Sequence, residues 1–500
     1  MNDQREDVKY FPVAVNEQLY AQYPSDKMAI SNEKKIDIEC NTEIGSKFFL
    51  YVSACAANLT AFACGLAIAW TSPVIPKLNG NVEPENNPLP IPLTLEQESW
   101  VGSLLPLGAI FGPFAAGMFI DKIGRKKTLL VSILPLIIAF DMAVFINNVN
   151  LFFLMRFLCG LSIGGIFTVL PIYVAEIAEI AVRGTLGSFL ALFVCIGILC
   201  SYSIGPYVSL KVFNILCSIV PTVFVPFFLI YIPDSPYFLV SANYDNEAED
   251  ALMKLRGKSR DGIQKELLEI KDSVEQSASS KMSITDIFRS KGLNRALLLS
   301  AGLVTFQQLS GINVVIFYTQ NIFAATGSAI PAEICAIITG AIHVMSTLIT
   351  PILADKIGKR ILLILSAIGM FVFEAILGLY FYLQGKLENV EFLFWLPIAC
   401  LIGYILTYNV GFGPLPWAIM GELFPPNAKS ISSTITASVC WLLAFIITKF
   451  FSDVAALIGI AGSFWIFSGC CVFAFLFVFK LLPETSGKSL KEIQDILNDK

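Results

Sequence analysis

Long apolar segments limit what this chain can fold into. Three of them, Leu129–Phe145, Val212–Ile232 and Phe464–Leu482, are each long enough, or nearly so, to cross about 30 Å of hydrocarbon as an α-helix. The 500 residues are 55% hydrophobic and 15% charged, with a mean hydropathy of +0.70, and a soluble protein could not bury that much apolar surface. The sequence therefore predicts an all-α membrane protein.

About 12 such segments follow one another along the chain. They lie roughly at 48–72, 98–120, 128–147, 151–178, 185–208, 211–232, 293–322, 333–354, 360–384, 392–420, 430–451 and 460–482. The stretch between the sixth and the seventh is charged and helix-prone. The predicted organisation is a cytosolic tail at 1–46, a six-helix bundle at 47–232, a cytosolic helical linker at 233–292, a second six-helix bundle at 293–482 and a cytosolic tail at 483–500.

Lysine and arginine are distributed unevenly between the loops. With the N-terminus inside, the inner loops carry Lys122, Arg125, Lys126, Lys127, Arg183, Lys356, Lys359, Arg360 and Lys429, and the outer loops carry only Lys77, Lys211, Lys386 and Lys449. Positive charge is favoured on the cytosolic side, so both termini are predicted to be cytosolic. The first 45 residues lack the pattern of a signal peptide. We expect a multi-pass protein of the plasma membrane that contacts the lipid bilayer and works as a monomer.

The two groups of six segments repeat the same charged motifs in the same order. Asp121-Lys-Ile-Gly-Arg-Lys returns as Asp355-Lys-Ile-Gly-Lys-Arg, Glu176 with Arg183 returns as Glu422 with Lys429, and Pro233-Asp-Ser-Pro returns as Pro483-Glu-Thr-Ser. The order indicates an internal duplication. Membrane proteins built from such repeats bind their ligands between the repeats, near the middle of the bilayer.

The repeated charges suggest two clusters on the cytosolic side. We expect Arg125, Glu176 and Arg183 to form one cluster, and Lys359 or Arg360, Glu422 and Lys429 to form the other. Both would hold the inner ends of the helices together when the central site faces outward, and would break when it faces inward. The alternative is that these charges only fix the topology.

Uncharged polar side chains are concentrated in the seventh segment, within Thr305–Gln320. Gln307, Gln308 and Asn313 lie there in an otherwise apolar sequence. Amides offer many donors and acceptors and never titrate, which suits a neutral ligand rich in hydroxyl groups. On a straight helix Gln307 and Asn313 would lie about 120° apart, so they can face one cavity only if the helix unwinds near Gly311. The alternative is that the amides only tie neighbouring helices together.

The chain has 12 cysteines, and eleven of them lie inside apolar segments. They are interpreted as small residues for packing in the membrane, not as a disulfide framework.

Several motifs in order resemble those of the sugar porter family of the major facilitator superfamily, over roughly 48–496. They are Gly117-x3-Asp-Lys-x-Gly-Arg-Lys, Arg156-Phe-Leu-Cys-Gly, Pro171-Ile-Tyr-Val-Ala-Glu176, Pro233-Asp-Ser-Pro, Gln307-Gln-Leu-Ser-Gly-Ile-Asn313, Gly413-Pro-Leu-Pro-Trp417 and Pro483-Glu-Thr-Ser-Gly-Lys. Trp70-Thr-Ser-Pro and Glu98-Ser-Trp-Val-Gly-Ser are similar to arthropod-type facilitated trehalose transporters. The resemblance implies 12 transmembrane helices in two pseudo-symmetric six-helix bundles, the major facilitator fold.

The resemblance also implies where a sugar would bind. Gln307, Gln308 and Asn313 match the sugar-binding amides of the family, Trp417 its stacking tryptophan, and Trp441 a tryptophan near the cavity. His343 falls where the family has a cavity asparagine, and Asn409 where glucose facilitators have a glutamate. The alternatives are that Trp417 only packs, and that His343 is a neutral imidazole bonded to a neighbouring helix.

Other matched positions depart from the family pattern, and three of them have lost a hydrogen-bonding side chain. The departures are Ala191 for a glutamine, Phe317 for a tyrosine, Ala444 for an asparagine and Pro351 for a glycine. They put glucose-type selectivity in doubt and leave more room, as a disaccharide would need.

The first segment lacks the acid that a proton symporter of this family usually has, since Phe62–Trp70 contains no carboxylate. Asp141 and Glu374 are predicted to lie away from the cavity. The sequence therefore predicts a uniporter for a neutral mono- or disaccharide such as trehalose or glucose. A proton-coupled symporter, a non-transporting sugar sensor and a carrier of polyols remain alternatives. No enzyme, cofactor, metal or nucleic-acid site is expected.

Overall fold

The computed structural model describes residues 45–80, 87–279, 284–327, 330–386, 391–486, 488 and 490–499. All regular structure in these ranges is helical. The predicted N-terminal tail lies outside the described residues, apart from its last two positions.

The first half of the chain supplies six membrane-spanning units. They are α1 (Phe48–Ala69) with the short α2 (Thr71–Leu78), α3 (Leu95–Ile123), α4 (Arg125–Ala143), α5 (Val149–Ile177), α6 (Arg183–Ile204) and α7 (Leu210–Tyr231). Thr94 and Gln97 form a reciprocal capping box at the start of α3, which satisfies N–H groups that the first helical turn leaves free. The first unit extends beyond the predicted boundary, because α2 continues it to Leu78.

Four short helices follow: α8 (Pro236–Ser241), α9 (Asp245–Arg256), α10 (Arg260–Ser279) and α11 (Ile284–Arg289). Residues of α8, α9 and α10, among them Phe238, Leu252 and Ile263, form a small hydrophobic core of their own. Arg256 donates to the carbonyl of Ile177 at 2.8 Å, which attaches this linker to the end of α5. The stretch between the sixth and the seventh membrane-spanning unit is therefore helical over most of its described residues.

The second half repeats the six-unit pattern with more interruptions. It contains α12 (Lys291–Leu309), α13 (Ile312–Phe317), α14 (Thr319–Ala325), α15 (Ala332–Ile357), α16 (Lys359–Gln384), a 3-10 turn (Glu391–Leu393), α17 (Leu396–Val410), α18 (Leu415–Leu423), α19 (Pro426–Leu481) and α20 (Leu490–Asp499). Gly459 has φ 80° and ψ 163°, so α19 is two helices joined at a sharp bend.

The described residues contain 10 helical segments long and apolar enough to cross a membrane. One of them, Ile431–Leu481, contains the bend at Gly459 and supplies two spans. The remaining span is α4, whose first three residues are basic. Twelve spans result, as the sequence predicts.

The two halves meet along α3 with α19 and along α6 with α15. We call the side where α7 ends and the linker helices lie the linker face, and the opposite side the far face. Toward the far face, Ser72 Oγ accepts from the Gln320 N–H at 3.2 Å, and the Tyr202 hydroxyl donates to the Ile316 carbonyl at 2.7 Å. At the linker face, the start of α6 around Arg183 is exposed. The molecule is therefore closed toward the far face.

Candidate functional site

The seventh membrane-spanning unit is broken where the sequence predicts it. Helix α12 ends at Leu309, and α13 begins at Ile312. Between them, Gly311 has φ +76°, a left-handed conformation that glycine adopts at little cost. A Cβ atom at this position would also lie 2.6 Å from the ring of Phe467. The break therefore needs glycine on two grounds.

The break brings two of the predicted amides into contact. Asn313 Nδ2 donates to Gln308 Oε1 at 2.5 Å. Gln308 is 6% exposed and Asn313 is half-buried. Each amide thus satisfies part of the hydrogen-bonding capacity of the other, and the Asn313 side chain is the more exposed of the two.

Gln307 connects this break to a second one. Its Nε2 donates to the carbonyls of Phe412 at 2.7 Å and Gly413 at 2.8 Å, in the non-helical stretch between α17 and α18. Carbonyls at a helix interruption within a membrane need such partners, because lipid offers none. Both broken helices of the second half are therefore joined through one buried side chain.

His343 and Asn409 also lie together. Asn409 Nδ2 donates to Ser346 Oγ at 2.6 Å and to the His343 carbonyl at 3.4 Å. Asn409 Oδ1 lies 3.2 Å from where a Cβ atom of Gly413 would be. The pair is therefore next to the interruption to which Gln307 binds.

The two predicted tryptophans differ in their surroundings. Trp417 is half-buried on α18 and packs against the main hydrophobic core. Trp441 is buried on α19, with its ring centroid 6.1 Å from that of Phe167 in the first half. Trp441 thus contacts both halves at once.

Sequence reasoning missed three residues of this region. The Tyr404 hydroxyl donates to the Ser310 carbonyl at 2.7 Å. The Tyr408 ring stacks on that of Tyr404 with centroids 6.2 Å apart, and Gln308 Nε2 donates to Cys440 Sγ at 3.0 Å. The spacing of Tyr404 and Tyr408 places both on one face of the helix before the second break, and was a usable signal. Nothing distinguished Cys440 from the other cysteines.

At the linker face, each half forms one of its predicted ion pairs. Arg125 Nε lies 2.9 Å from Glu176 Oε2, and Lys359 pairs with Glu422. Arg183 and Lys429 are exposed. Arg360 is directed elsewhere, since its guanidinium donates to the Phe479 carbonyl at 2.6 Å. Each of the two ion pairs lies within one half.

The repeated motif after the sixth and the twelfth span caps a helix. Asp234 accepts from the Lys126 N–H at 3.0 Å, and Glu484 accepts from the N–H groups of Lys359 and Arg360, each at 3.2 Å. An acid at the start of a helix accepts from otherwise free N–H groups and is favoured by the helix dipole. The duplicated acids therefore define where α4 and α16 begin.

The two acids respond differently to their surroundings. Burial raises the pKa of Asp234, and hydrogen bonds from the Lys126 and Ser235 N–H groups offset this only in part. Burial also acts to raise the pKa of Glu484, but the hydrogen bonds from Ser486, Arg360 and Lys359 outweigh it and hold the pKa below its ordinary value.

Residue types that bind metals are dispersed over the part of the chain that the structure describes. No group of three or more histidine, cysteine, aspartate or glutamate side chains there could hold a metal ion. The central region offers amides, hydroxyl groups, a thiol, an imidazole and indole rings. Such a set binds a neutral polar molecule through hydrogen bonds and ring stacking.

Comparison with known proteins decides the family. The model of a family described as "Sugar (and other) transporter" matches residues 52–497. The chain belongs to this sugar transporter family. The transporter is 35% identical over 472 residues to a protein of Polypedilum vanderplanki named facilitated trehalose transporter Tret1. The matched region covers 93% of this chain and 92% of that protein. A protein of the same name from Anopheles gambiae is 34% identical over 473 residues, and the transporter spans 58% of its length.

Solved structures show the same fold. An inward-open conformation of the xylose transporter XylE from E. coli has a TM-score of 0.73 at 22% identity, with 89% of this chain and 99% of that chain covered. XylE bound to 6-bromo-6-deoxy-D-glucose, described as a proton:xylose symporter, has a TM-score of 0.71 at 22% identity, with 90% and 99% covered. The major facilitator fold expected from the sequence is confirmed. The family and these relatives are transporters and not enzymes.

Proposed function

We propose that this transporter carries a neutral sugar, trehalose or glucose, down its own gradient by alternating access. The observation that carries the proposal is the uncharged cluster of Gln307, Gln308 and Asn313 at the break of the seventh unit. Amides at such a break can exchange their mutual hydrogen bonds for sugar hydroxyl groups as the two halves move. Relatives named as facilitated trehalose transporters support the choice of sugar and of uniport.

The proposed sugar site adds His343, Asn409, Trp417 and Trp441 to the three amides. An indole face suits the C–H face of a pyranose ring, while imidazole and amide groups suit its hydroxyl groups. The contact of Asn409 with His343, beside the second break, supports the inclusion of this pair.

The surroundings of Arg156 favour uniport over proton symport. This buried residue of α5 donates to the carbonyls of Val101 at 2.9 Å and Ala67 at 2.7 Å. It also lies 5.7 Å from the ring of Trp70. Ala67 belongs to the part of α1 in which a symporter would need an acid. Here neutral carbonyls and aromatic faces stabilise the guanidinium, and none of these partners exchanges a proton.

Asp141 and Glu374, the carboxylates predicted to lie away from the cavity, have partners of their own. Asp141 accepts from Ser218, and Glu374 accepts from Cys471 at 3.4 Å. Asp141 with Ser218 joins α4 to α7, and Glu374 with Cys471 joins α16 to α19. Both pairs involve neutral donors within one half, which supports a structural role.

The proposed cycle moves residues 47–232 against residues 293–482, with the linker and both termini in the cytosol of a plasma-membrane protein. The basic residues of the linker face support this orientation. In that orientation, closure toward the far face makes this the inward-facing state. Both ion pairs are formed within one half in this inward-facing state, so the expectation that they break there is wrong. We further propose that Arg125, Glu176, Lys359 and Glu422 gain contacts with the other half when the linker face closes in the outward-facing state. The exposed Arg183 and Lys429 would join them there.

Counterflow in proteoliposomes tests the function. Proteoliposomes that contain the purified transporter would be loaded with unlabelled trehalose, glucose, fructose or inositol and then exposed to the same sugar in labelled form. Protein-free liposomes and the Asn313→Ala variant serve as controls. We expect saturable exchange of one sugar by the parent, no uphill accumulation under an imposed pH gradient, and strongly reduced exchange by Asn313→Ala. Accumulation driven by the pH gradient would establish symport. Sugar binding without any exchange would instead support the sensor.

A further inference from the structure

A thiol lies between the two glutamines of the proposed sugar site. Gln308 Nε2 donates to Cys440 Sγ at 3.0 Å, and Cys440 Sγ donates to Gln307 Oε1 at 3.9 Å. All three side chains are buried, and Cys440 is 3% exposed. The cysteine belongs to α19, while both glutamines belong to α12. A residue from a distant part of the chain therefore connects the two amides.

The same hydrogen bonds continue in both directions. On one side, Gln307 donates to the carbonyls of Phe412 and Gly413 at the break between α17 and α18. On the other side, Gln308 accepts from Asn313 just after the break at Gly311. A continuous hydrogen-bonded series thus runs from one broken helix to the other, and Cys440 is its middle member.

The chemistry of a thiol gives this position a particular property. Sulfur is a weak donor and a weak acceptor, so its hydrogen bonds are easily replaced. A sugar hydroxyl forms stronger hydrogen bonds to an amide than a thiol does. The thiol can therefore fix the direction of both amides in the empty site and still give them up when a sugar arrives.

We propose that Cys440 is a positioning residue for sugar binding. It orients Gln307 and Gln308 in the empty site, and it releases the Gln308 N–H and the Gln307 carbonyl oxygen to hydroxyl groups of the bound sugar. The inference rests on the proposed function, because it assumes that the amides bind the transported sugar.

Substitutions of Cys440 separate hydrogen bonding from packing. Cys440→Ala removes the contact and the volume, Cys440→Val keeps an apolar side chain of similar size, and Cys440→Ser keeps a donor and an acceptor. We expect Ala and Val to raise the KM of counterflow by about threefold to tenfold, since amide side chains that are no longer oriented in the empty site must be immobilised when the sugar binds. We expect kcat to change by less than about twofold, and Ser to return KM to within about twofold of the parent.

Controls keep the outcome interpretable. Cys400→Ala removes a thiol on α17 that is 2% exposed, and it should leave KM unchanged. Melting temperatures of all variants would verify that they fold.

The failure of the inference differs from that of the proposed function. A parent that exchanges none of the four sugars removes the proposed function. A parent that exchanges a sugar, with the same KM in Cys440→Ala, overturns the role of Cys440 alone. Full recovery by Val but not by Ser would reduce Cys440 to a packing residue.

Discussion

At the residue scale, the main feature is that neutral amide side chains form the hydrogen bonds at the helix breaks of the second half. Gln307 holds two carbonyls, and Gln308 and Asn313 hold each other. The sequence predicts that these amides lie together, because only a break near Gly311 could align them. It could not predict their partners, since Phe412 and Cys440 come close only when α17 and α19 pack against α12.

Gln307→Glu tests the need for a neutral donor. An ionised carboxylate cannot donate to the Phe412 and Gly413 carbonyls and would repel their oxygens, so we expect counterflow at pH 7.5 to fall at least about tenfold. Protonation restores one donor, so activity should partly recover toward pH 5. Initial rates across this pH range measure the effect.

Gln307→Met is the matched control, because it is neutral but has no donor. Its activity should be low at every pH, while the parent stays nearly constant. Equal pH profiles for the Glu and Met variants would contradict a role for the Gln307 amide as a donor.

At the element scale, apolar patterns locate the membrane-crossing part of a helix better than its ends. The third span was predicted at 128–147, but α4 begins at Arg125, because Asp234 from a distant part of the chain caps it. The twelve spans and the break in the seventh follow from local sequence, whereas the helix starts depend on contacts between remote segments.

Glu484→Gln tests the cap of α16. Because the folded-state pKa of Glu484 is lowered, its stabilising effect is complete well above its ordinary pKa of 4.5 and is lost as pH falls toward the folded-state value. We expect the variant to be less stable at pH 7 by about 1 kcal/mol, as for other lost caps. The difference in melting temperature from the parent should shrink at pH 4.

Asp234→Asn is the matched variant in the first half. The pKa of Asp234 is raised in the folded parent, so the folded state binds the proton more tightly than the unfolded state does. The parent therefore gains stability relative to the variant as pH falls. The difference between parent and variant should therefore grow toward low pH. The same pH trend for both variants would contradict the different surroundings of the two acids.

At the scale of the whole molecule, the halves meet through side chains that no local pattern connects. Lys449 of α19 donates to Ser99 Oγ at 2.7 Å and lies 4.4 Å from the ring of Trp100, both on α3. Sequence motifs predict two bundles and their symmetry, yet they do not show which side is closed. That depends on pairs such as this one, which come from opposite halves.

Lys449→Gln should favour the state that is open at the far face. Loss of a cation–π contact and an interhalf hydrogen bond should shift the equilibrium by about threefold to tenfold. Ser72 is buried where the halves meet at the far face. The accessibility of a cysteine introduced at Ser72, measured with an impermeant maleimide from the far side in the parent and in the variant, reports the shift. Lys386→Gln is the control, because Lys386 lies 5.9 Å from the ring of Tyr382 within one half and should have no effect.

Glu176→Gln tests the opposite face. Glu176 is proposed to gain contacts across the closed linker face, so neutralising it should raise the fraction of inward-facing molecules. We expect the ratio of efflux to uptake rates to change by about twofold to fivefold, which corresponds to a shift of below about 1 kcal/mol in the conformational equilibrium. Unchanged kinetics in both directions would remove the proposed gate.

The attachment of the linker has a consequence for how the chain can be divided. Arg256, the last residue of α9, bonds to the end of α5 and pairs with Glu179 just beyond it at 3.8 Å, so α9 is secured to the first bundle. The second bundle starts with its own capped helix at Ser290. Two polypeptides separated after α10 would each keep these anchors, and co-expression of such fragments is a practical route to labelling one bundle without the other.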